Sequence, residues 1–412
     1  MKKVLILIVS ISMLLVGCGT GSTPNHSLKI QEHVEFGEMD YEKLVASNNA
    51  LGFDLLSKAP SDGEGNIFIS PTSLLMAISM VYNGADGETK EEIEKVLHAE
   101  GITPEDLNKA NASFITLLDR NSDKIQLNIA NSIWLNNKYS FQEKFEATNK
   151  DYYNAEINEI NVQDPQSPKK INEWVKSKTN GNIDKIVGDE LNPQLVSMLI
   201  NAIYFKGIWT HPFDATLTKE KNFTLDNGST INIPLMELKE ELFYTKNNKF
   251  QAVSLPYGKE NISMKVFLPN EDMSLKEFEE FLTLEQWQEL QSSFYKLKGT
   301  ILLPKFTLEY EVELKETLEA LGMTSAFENA NFSKMVEGNS NLAITSVKQK
   351  TFITVNEEGT EATAVTSVEM GETAMEPIDE PFYMEVNRPF FIVIVEETSG
   401  AILFMGSISN PQ

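Results

Sequence analysis

A chain with a single cysteine, Cys18, cannot be held together by disulfides, and its folded body offers neither a thiolate nucleophile nor a cysteine metal site. Histidine is nearly as scarce. Of the four, His26 and His33 lie near the start, His98 ends a helical pattern and His211 precedes a proline, so no pair has a metal-ligand spacing. Cations are the minority charge, 35 Lys and Arg against 60 Asp and Glu. The net charge of −25 leaves no basic stripe to neutralise phosphates, which argues against nucleic acid and favours proteins or small molecules as partners. Its ordinary consequence is solubility. Gly-x-Ser-x-Gly, Walker and Gly-x-Gly-x-x-Gly signatures are all missing, and with so many carboxylates no acid/base pair stands out. The sequence therefore calls for no cofactor, no metal and no enzymatic chemistry.

Long apolar runs are absent with one exception. Lys2 and Lys3 precede a nearly continuous apolar stretch over 4–16, too short to span a bilayer comfortably, and Leu15-Val16-Gly17-Cys18 closes it. This arrangement resembles a bacterial lipoprotein signal over 1–17, whose cleavage leaves Cys18 as a lipidated first residue; the plainer alternative is an ordinary secretion signal. Residues 18–40 are small, polar and then charged, and read as a flexible tether with a span of roughly 25 Å. The expected location is a bacterial cell surface, with the body anchored to a lipid membrane through Cys18 and facing outward, or the periplasm where an outer membrane exists.

No linker, repeat or low-complexity run divides residues 41–412, so one large domain is expected. Helical spacing marks 41–58, with Leu44, Leu51, Leu55 and Leu56 on one side and Asp40 placed to cap. A strand over 66–69 enters a helix at Ser70-Pro71, and an amphipathic helix follows over 88–97. Further helices are expected over 141–149, 168–179 and 314–321, the last stopping at Gly322. Strands are expected over 126–135, 195–205, 221–225, 231–236, 252–255, 262–268, 300–303, 390–395 and 401–407. The fold class is α+β with extensive sheet.

One stretch fits no ordinary connection. After the strong strand over 351–356 comes VNEEGTEATAVTSVEM, residues 355–370, in which Thr360, Ala362, Ala364, Thr366 and Val368 alternate with Glu361, Thr363, Val365 and Ser367. Period two with one face kept small suits a strand that slips between two strands already covered by helices.

Together the ordered motifs resemble the serpins over about 41–411. They are Asn66-Ile-Phe-Ile-Ser-Pro-Thr-Ser73, Asn201-Ala-Ile-Tyr-Phe-Lys-Gly-Ile-Trp209, Leu303-Pro-Lys-Phe306, Leu314-Lys-Glu-Thr-Leu-Glu-Ala-Leu-Gly-Met323, Val355-Asn-Glu-Glu-Gly-Thr-Glu-Ala362, Asn387-Arg-Pro-Phe390 and Phe404-Met-Gly406. The resemblance implies three β-sheets, eight or nine helices and an exposed reactive loop at about 357–380. It also implies a suicide-substrate inhibitor: a serine or cysteine protease cleaves the loop, is held as a covalent acyl complex, and is carried across a monomeric inhibitor as the loop enters the central sheet.

By the same resemblance the hinge is Glu357, Glu358, Gly359, Thr360, Glu361, Ala362, Thr363, Ala364, Val365 and Thr366, with Gly359 supplying backbone freedom. Ser70, Ser73 and Asn201 fall in the polar cluster beneath the opening sheet, and Trp209 is the aromatic at its top. Gln349 stands where the family commonly has histidine, and glutamine cannot charge near neutral pH. Counting from Glu357 places the reactive bond at Thr373-Ala374; counting back from the other end lands near Ile378, and Glu372 and Met375 remain alternatives. Small Thr and Ala favour an elastase-like or subtilisin-like protease, and the absence of Lys and Arg over 359–387 disfavours a trypsin-like one. The competing readings are a non-inhibitory binding or structural lipoprotein on the same scaffold and a solute-binding lipoprotein.

Overall fold

The computed structural model describes residues 30–119, 124–259, 261–338, 342–360 and 380–412. Cys18, hinge residues Glu361, Ala362, Thr363, Ala364, Val365 and Thr366, and the bond candidates Glu372, Thr373, Ala374 and Met375 lie outside the described residues.

Among the described residues there are nine α-helices. Helix α1 (Glu42–Leu56) buries Leu44, Leu51, Leu55 and Leu56 as its spacing requires. Its expected cap is wrong: Tyr41 holds the cap position without a side-chain bond, because the Asp40 carboxylate turns back to accept from Gly37 N at 2.6 Å. Helix α2 (Pro71–Tyr82) is buried along its whole length, with Pro71 in the first turn and Ser70 Oγ accepting from Ser73 N. Helices α3 (Gly87–Val96), α5 (Glu143–Tyr153), α6 (Gln166–Lys178) and α9 (Lys315–Ala320) fall near their expected places. The sequence reading passed over α4 (Pro104–Leu118), α7 (Leu275–Phe281) and α8 (Leu284–Gln291). Each begins at a hydroxyl cap, Thr103, Ser274 and Thr283 respectively, and Ser274 with Glu277 forms a complete capping box.

The strands are β1 (Ile67–Ile69), β2 (Ile125–Asn136), β3 (Glu156–Ile160), β4 (Ser197–Ile208), β5 (Lys219–Thr224), β6 (Thr230–Lys246), β7 (Phe250–Tyr257) and β8 (Ile262–Pro269). They continue with β9 (Tyr295–Pro304), β10 (Phe306–Glu313), β11 (Ile344–Val355), β12 (Gly359–Thr360), β13 (Phe382–Glu385), β14 (Phe390–Glu396) and β15 (Ala401–Ile408). By hydrogen-bond continuity they form two sheets, where the resemblance implied three. The larger has nine strands in the order β1-β15-β14-β8-β7-β6-β9-β13, with β5 on β6. Two layers merge because β6 is long: its residues 230–235 pair with β5, 235–244 with β9 and 243–246 with β7.

The smaller sheet has six strands, β10-β11-β4-β2-β3 with β12 on β4. Helix α2 lies between the sheets and touches β15 on one side and β2 and β4 on the other. The inner face of β4, with Leu199, Ile203 and Phe205, joins this main core. Its outer face, with Met198, Ile200 and Ala202, joins a second cluster built with Ile171 and Val175 of α6. Burial on both faces explains why β4 reads as a continuous apolar run.

Candidate functional site

The smaller sheet contains one junction unlike the rest. Its central strands β4 and β11 run parallel and pair directly from Ser197 with Ile344 up to Tyr204 with Phe352. Above Tyr204 the pairing changes. There β12 turns back and pairs antiparallel with β4, Gly359 opposite Ile208 and Thr360 opposite Gly207. A two-residue strand thus starts a wedge at the upper end of a seam that is closed below.

The turn into β12 is built on Asn356. Its side-chain oxygen accepts from Glu358 N at 3.0 Å and Gly359 N at 3.2 Å, while its main chain exchanges bonds with Gly359. Gly359 has φ +150°, and a Cβ there would stand 2.0 Å from the Gly207 carbonyl oxygen, so only glycine lets the two backbones approach. Gly207 is required on the other side, where a Cβ would meet the Tyr257 ring at 2.6 Å. Thr360 is fully buried and its hydroxyl bonds the Tyr257 hydroxyl at 2.9 Å. Burial pushes the Tyr257 phenol far above its ordinary pKa, partly opposed by that bond, so it stays neutral.

Trp209 caps the wedge. Its ring stacks on Tyr257 at 4.2 Å between centroids, its Nε1 donates to Asn356 O at 2.9 Å, and its backbone N donates to Glu358 O at 2.9 Å. Phe213 N holds Glu357 O at 2.8 Å. The Glu357 carboxylate accepts from Thr218 Oγ1 at 2.9 Å and from Lys305 Nζ at 2.8 Å. Burial pushes this carboxyl up, but the bonds from Lys305, its own backbone and Thr218 outweigh it and hold it below the usual value.

About 26 Å lower, eight residues down β4 at roughly 3.3 Å each, lies a second group. Asn201 stands between Asn131 of β2 and Gln349 of β11 in the sheet register. Asn201 Nδ2 donates to Ser73 Oγ and, at 2.5 Å, to Asn131 Oδ1; Gln349 Nε2 donates to Asn201 Oδ1 at 2.7 Å and to Ser70 O at 3.0 Å. Ser70 N returns a bond to Gln349 Oε1 at 3.0 Å. These side chains are buried, so the cluster bridges the seam through amides and hydroxyls alone.

Residues 46–411 match the family described as Serpin (serine protease inhibitor). The chain is a serpin. A serpin-like protein of Methanosarcina acetivorans is 30% identical to it, over all of this chain and 98% of that one. The leukocyte elastase inhibitor of Bos taurus is 34% identical over 90% of this chain and all of its own. Among solved structures, that of the thermophilic serpin tengpin in its native state superposes with a TM-score of 0.83 at 35% identity, covering 92% of this chain and 96% of that one.

The serpin fold therefore divides the expected site residues into two groups. Ser70, Ser73, Asn201 and Gln349 meet at mid-sheet, and Trp209 joins Glu357, Glu358, Gly359 and Thr360 at the top. Gln349 makes both main-chain contacts to Ser70 and a side-chain contact to Asn201, and adds no titratable group. Sequence reasoning missed Tyr257, Phe213, Thr218 and Lys305 at the top and Asn131 at mid-sheet. Only Asn131 carried a signal, as the one polar residue on the face of β2 otherwise made of Ile125, Leu127, Ile129, Ile133 and Leu135.

Proposed function

We propose that this serpin is a suicide-substrate inhibitor of a serine protease, with a cysteine protease as the variant target, and that its loop enters the seam between β4 and β11 after cleavage near Thr373-Ala374. The observation that carries the reading is β12. Continued one residue per step, its register brings Ala362 beside Phe205, Ala364 beside Ile203 and Thr366 beside Asn201. These are inner-face positions, where Thr360 is already buried, and small or hydroxyl side chains fit there at little cost. Thr366 would arrive at the amide cluster, able to exchange hydrogen bonds with it. On the outer face Glu361 would lie beside Lys206, opposite in charge.

About ten new ladder bonds at roughly 1 kcal/mol each release on the order of 10 kcal/mol. A loop of about 17 residues at roughly 3.3 Å each carries an attached protease more than 50 Å. Insertion must outrun deacylation for the acyl complex to persist. Small residues at the candidate bond fit an elastase-like or subtilisin-like target, and the bovine relative is itself named for inhibiting leukocyte elastase. We further propose that residues 1–17 are a lipoprotein signal, that Cys18 carries lipid, and that the monomeric domain acts at a bacterial surface. The support is the leader composition and the single cysteine at its end.

The test is incubation of the body, starting after Cys18, with elastase-like, subtilisin-like, trypsin-like and glutamyl-specific proteases, read by denaturing gel and mass spectrometry. An SDS-resistant band at the summed mass with cleavage between Glu372 and Ile378 is expected. Simple clipping by every enzyme, with no rise in melting temperature, would instead favour a non-inhibitory serpin.

A further inference from the structure

The larger sheet holds a buried amine far from the seam, at a place where no core packing calls for one. One face of β8 carries Ser263, Lys265 and Phe267 in alternation with Met264 and Val266 on the other. Helices α7 and α8 cover Phe267, whose ring lies 5.7 Å from Phe278 and 6.3 Å from Trp287. That cover stops at Gln291, the last residue of α8, and beyond it the face opens into a cavity of about 320 Å³. Lys265 stands at the border, lining the cavity yet only 5% exposed. Phe243 of β6, Ser254 of β7 and Lys265 sit side by side in one cross-strand row, so an aromatic wall, a hydroxyl and an amine line the cavity in sequence.

The amine is held in a fixed direction. Lys265 Nζ donates to Gln291 Oε1 at 2.6 Å, and the Gln291 amide is itself fixed by donating to Trp287 O at 3.1 Å. Its second partner is the Glu397 carboxylate at 3.5 Å, which also accepts from Ser263 Oγ. The rings of Phe294 and Trp287 stand 5.2 Å and 5.8 Å from Nζ and keep water from its sides. Burial lowers the Lys265 amine below its ordinary value, and Glu397 only partly opposes this. A neutral amine has two N–H groups and one lone pair. With Gln291 and Glu397 facing the N–H groups, the lone pair is left for the cavity, whereas an ammonium would hold a third N–H with no polar acceptor of its own among the described residues. The remaining charges at the cavity are Lys296, Glu241 and His211, the last 3.6 Å from Glu240, so the rim has no strong net sign.

We propose that this cavity binds a small, uncharged aromatic aldehyde, held reversibly as an imine of Lys265, with Glu397 carrying the protons. The Nζ lone pair forms a bond to the carbonyl carbon while the C=O π pair moves to oxygen. One N–H proton passes by way of Glu397 to that oxygen, giving a carbinolamine. The remaining N–H proton follows the same route to the hydroxyl, which leaves as water as the C=N bond forms. Amine and aldehyde thus give imine and one water, with no oxidant or reductant. The volume is at the small end for ligand pockets and suits a single ring. Phe243 and Phe294 offer that ring aromatic neighbours, and a rim without strong net sign favours a ring without charge. Nothing in this site depends on loop insertion.

The test treats the intact protein at pH 7 with benzaldehyde and cyanoborohydride, the hydride serving only to trap the imine as a secondary amine, and maps the adducts by peptide mass spectrometry. Lys265 is expected to be labelled at least about tenfold faster than any other lysine. Propanal, which has the carbonyl but no ring, should show a preference for Lys265 of less than about threefold. Lys265→Arg keeps a cation and forms no imine, so the fast adduct should vanish. Glu397→Gln should slow labelling of Lys265 at least about tenfold. That direction separates proton transfer from a purely structural ion pair, because losing the carboxylate leaves the amine more readily neutral and would by itself speed labelling. Labelling of Lys265 no faster than that of surface lysines would overturn the site. An equal preference with propanal would overturn the aromatic class of the ligand, and unchanged or faster labelling in Glu397→Gln would overturn the role of Glu397.

Discussion

The seam between β4 and β11 is closed by different chemistry at its two levels. At the top the contacts are aromatic and steric: Trp209 on Tyr257, Thr360 against the Tyr257 hydroxyl, and the Gly359 and Gly207 backbones in near contact. In the middle they are amide and hydroxyl bonds, from Asn131 through Asn201 to Gln349 and Ser70. The top is shaped to admit a small residue, and the middle is bonded so that it opens only when partners are exchanged. A strand can therefore start without melting the sheet, yet cannot proceed unless something replaces the bonds it breaks. The larger sheet shows the contrast, since β14 and β15 are buried throughout, mostly with Phe, Ile, Val and Leu, and pair with each other along their length.

The largest effect expected is at the top. Thr360→Arg would place a guanidinium in a fully buried site facing a neutral phenol. The wedge should be expelled and insertion slowed at least about a hundredfold, so that the variant behaves as a substrate. Gel analysis with the best target protease checks this: only cleaved chain should accumulate, and a stable covalent complex would show that the top does not set the entry size.

The middle is broken most cleanly at Asn201. Asn201→Ala leaves Ser73, Asn131 and Gln349 short of partners in a dry interior, a loss of about 3 kcal/mol in total. Its melting temperature should fall by about 4 °C. Gln349→His sharpens the comparison differently. Gln349 already satisfies Ser70 and Asn201 at any pH, whereas histidine there gains a charge below about pH 6.5. Uptake of a synthetic peptide with the sequence of residues 360–370, followed by native gel, should not vary between pH 5.5 and 8 for the parent, and that of the histidine variant should accelerate on the acid side.

How far these levels were legible in the sequence follows from how local their signals are. The hinge announced itself through small residues at period two beside a glycine, a pattern carried by one short segment. The cluster members Ser70, Ser73, Asn201 and Gln349 were found by resemblance, since nothing near each residue tells which distant strand it meets. Tyr257 lies 103 positions from Thr360 and was missed for that reason. Strand β10 was overlooked although Phe306, Leu308, Tyr310 and Val312 are buried in strict alternation with Thr307, Glu309, Glu311 and Glu313. Helices α4, α7 and α8 likewise carried hydroxyl caps that were there to read. The cap expected at Asp40 failed because an earlier amide, Gly37 N, took its carboxylate.

Gly359→Ala gives a smaller effect than the changes above. The added methyl meets backbone that cannot give way, so the β12 turn must move at a cost of about 1–3 kcal/mol, although the seam below stays shut. Faster proteolysis near residue 360 with little change in overall melting is the expected signature. Equal loss of both would mean that the wedge and the closed seam form one cooperative unit.

The smallest effect concerns the fastening of the wedge. Burial raises the Glu357 carboxyl, but bonds from Lys305, its own backbone and Thr218 bring it below the ordinary 4.5, so the folded state prefers the ionised form. A depressed carboxyl gives stability that is fully present above the unfolded value and is lost as pH falls through the folded one. The Lys305 contribution should therefore be constant from about pH 5.5 upward and fade below about pH 4.5. Lys305→Met isolates it. Its melting temperature should lie below the parent's at pH 7, and the gap should narrow as the pH approaches 3.5, because protonated Glu357 no longer distinguishes the two. A gap that stays constant with pH would assign the effect of Lys305 to packing of its methylene stem, and the wedge would then be fastened by its main-chain bonds to Trp209 and Phe213 and its hydrogen bonds to Trp209 Nε1, Thr218 and Tyr257, without the ion pair.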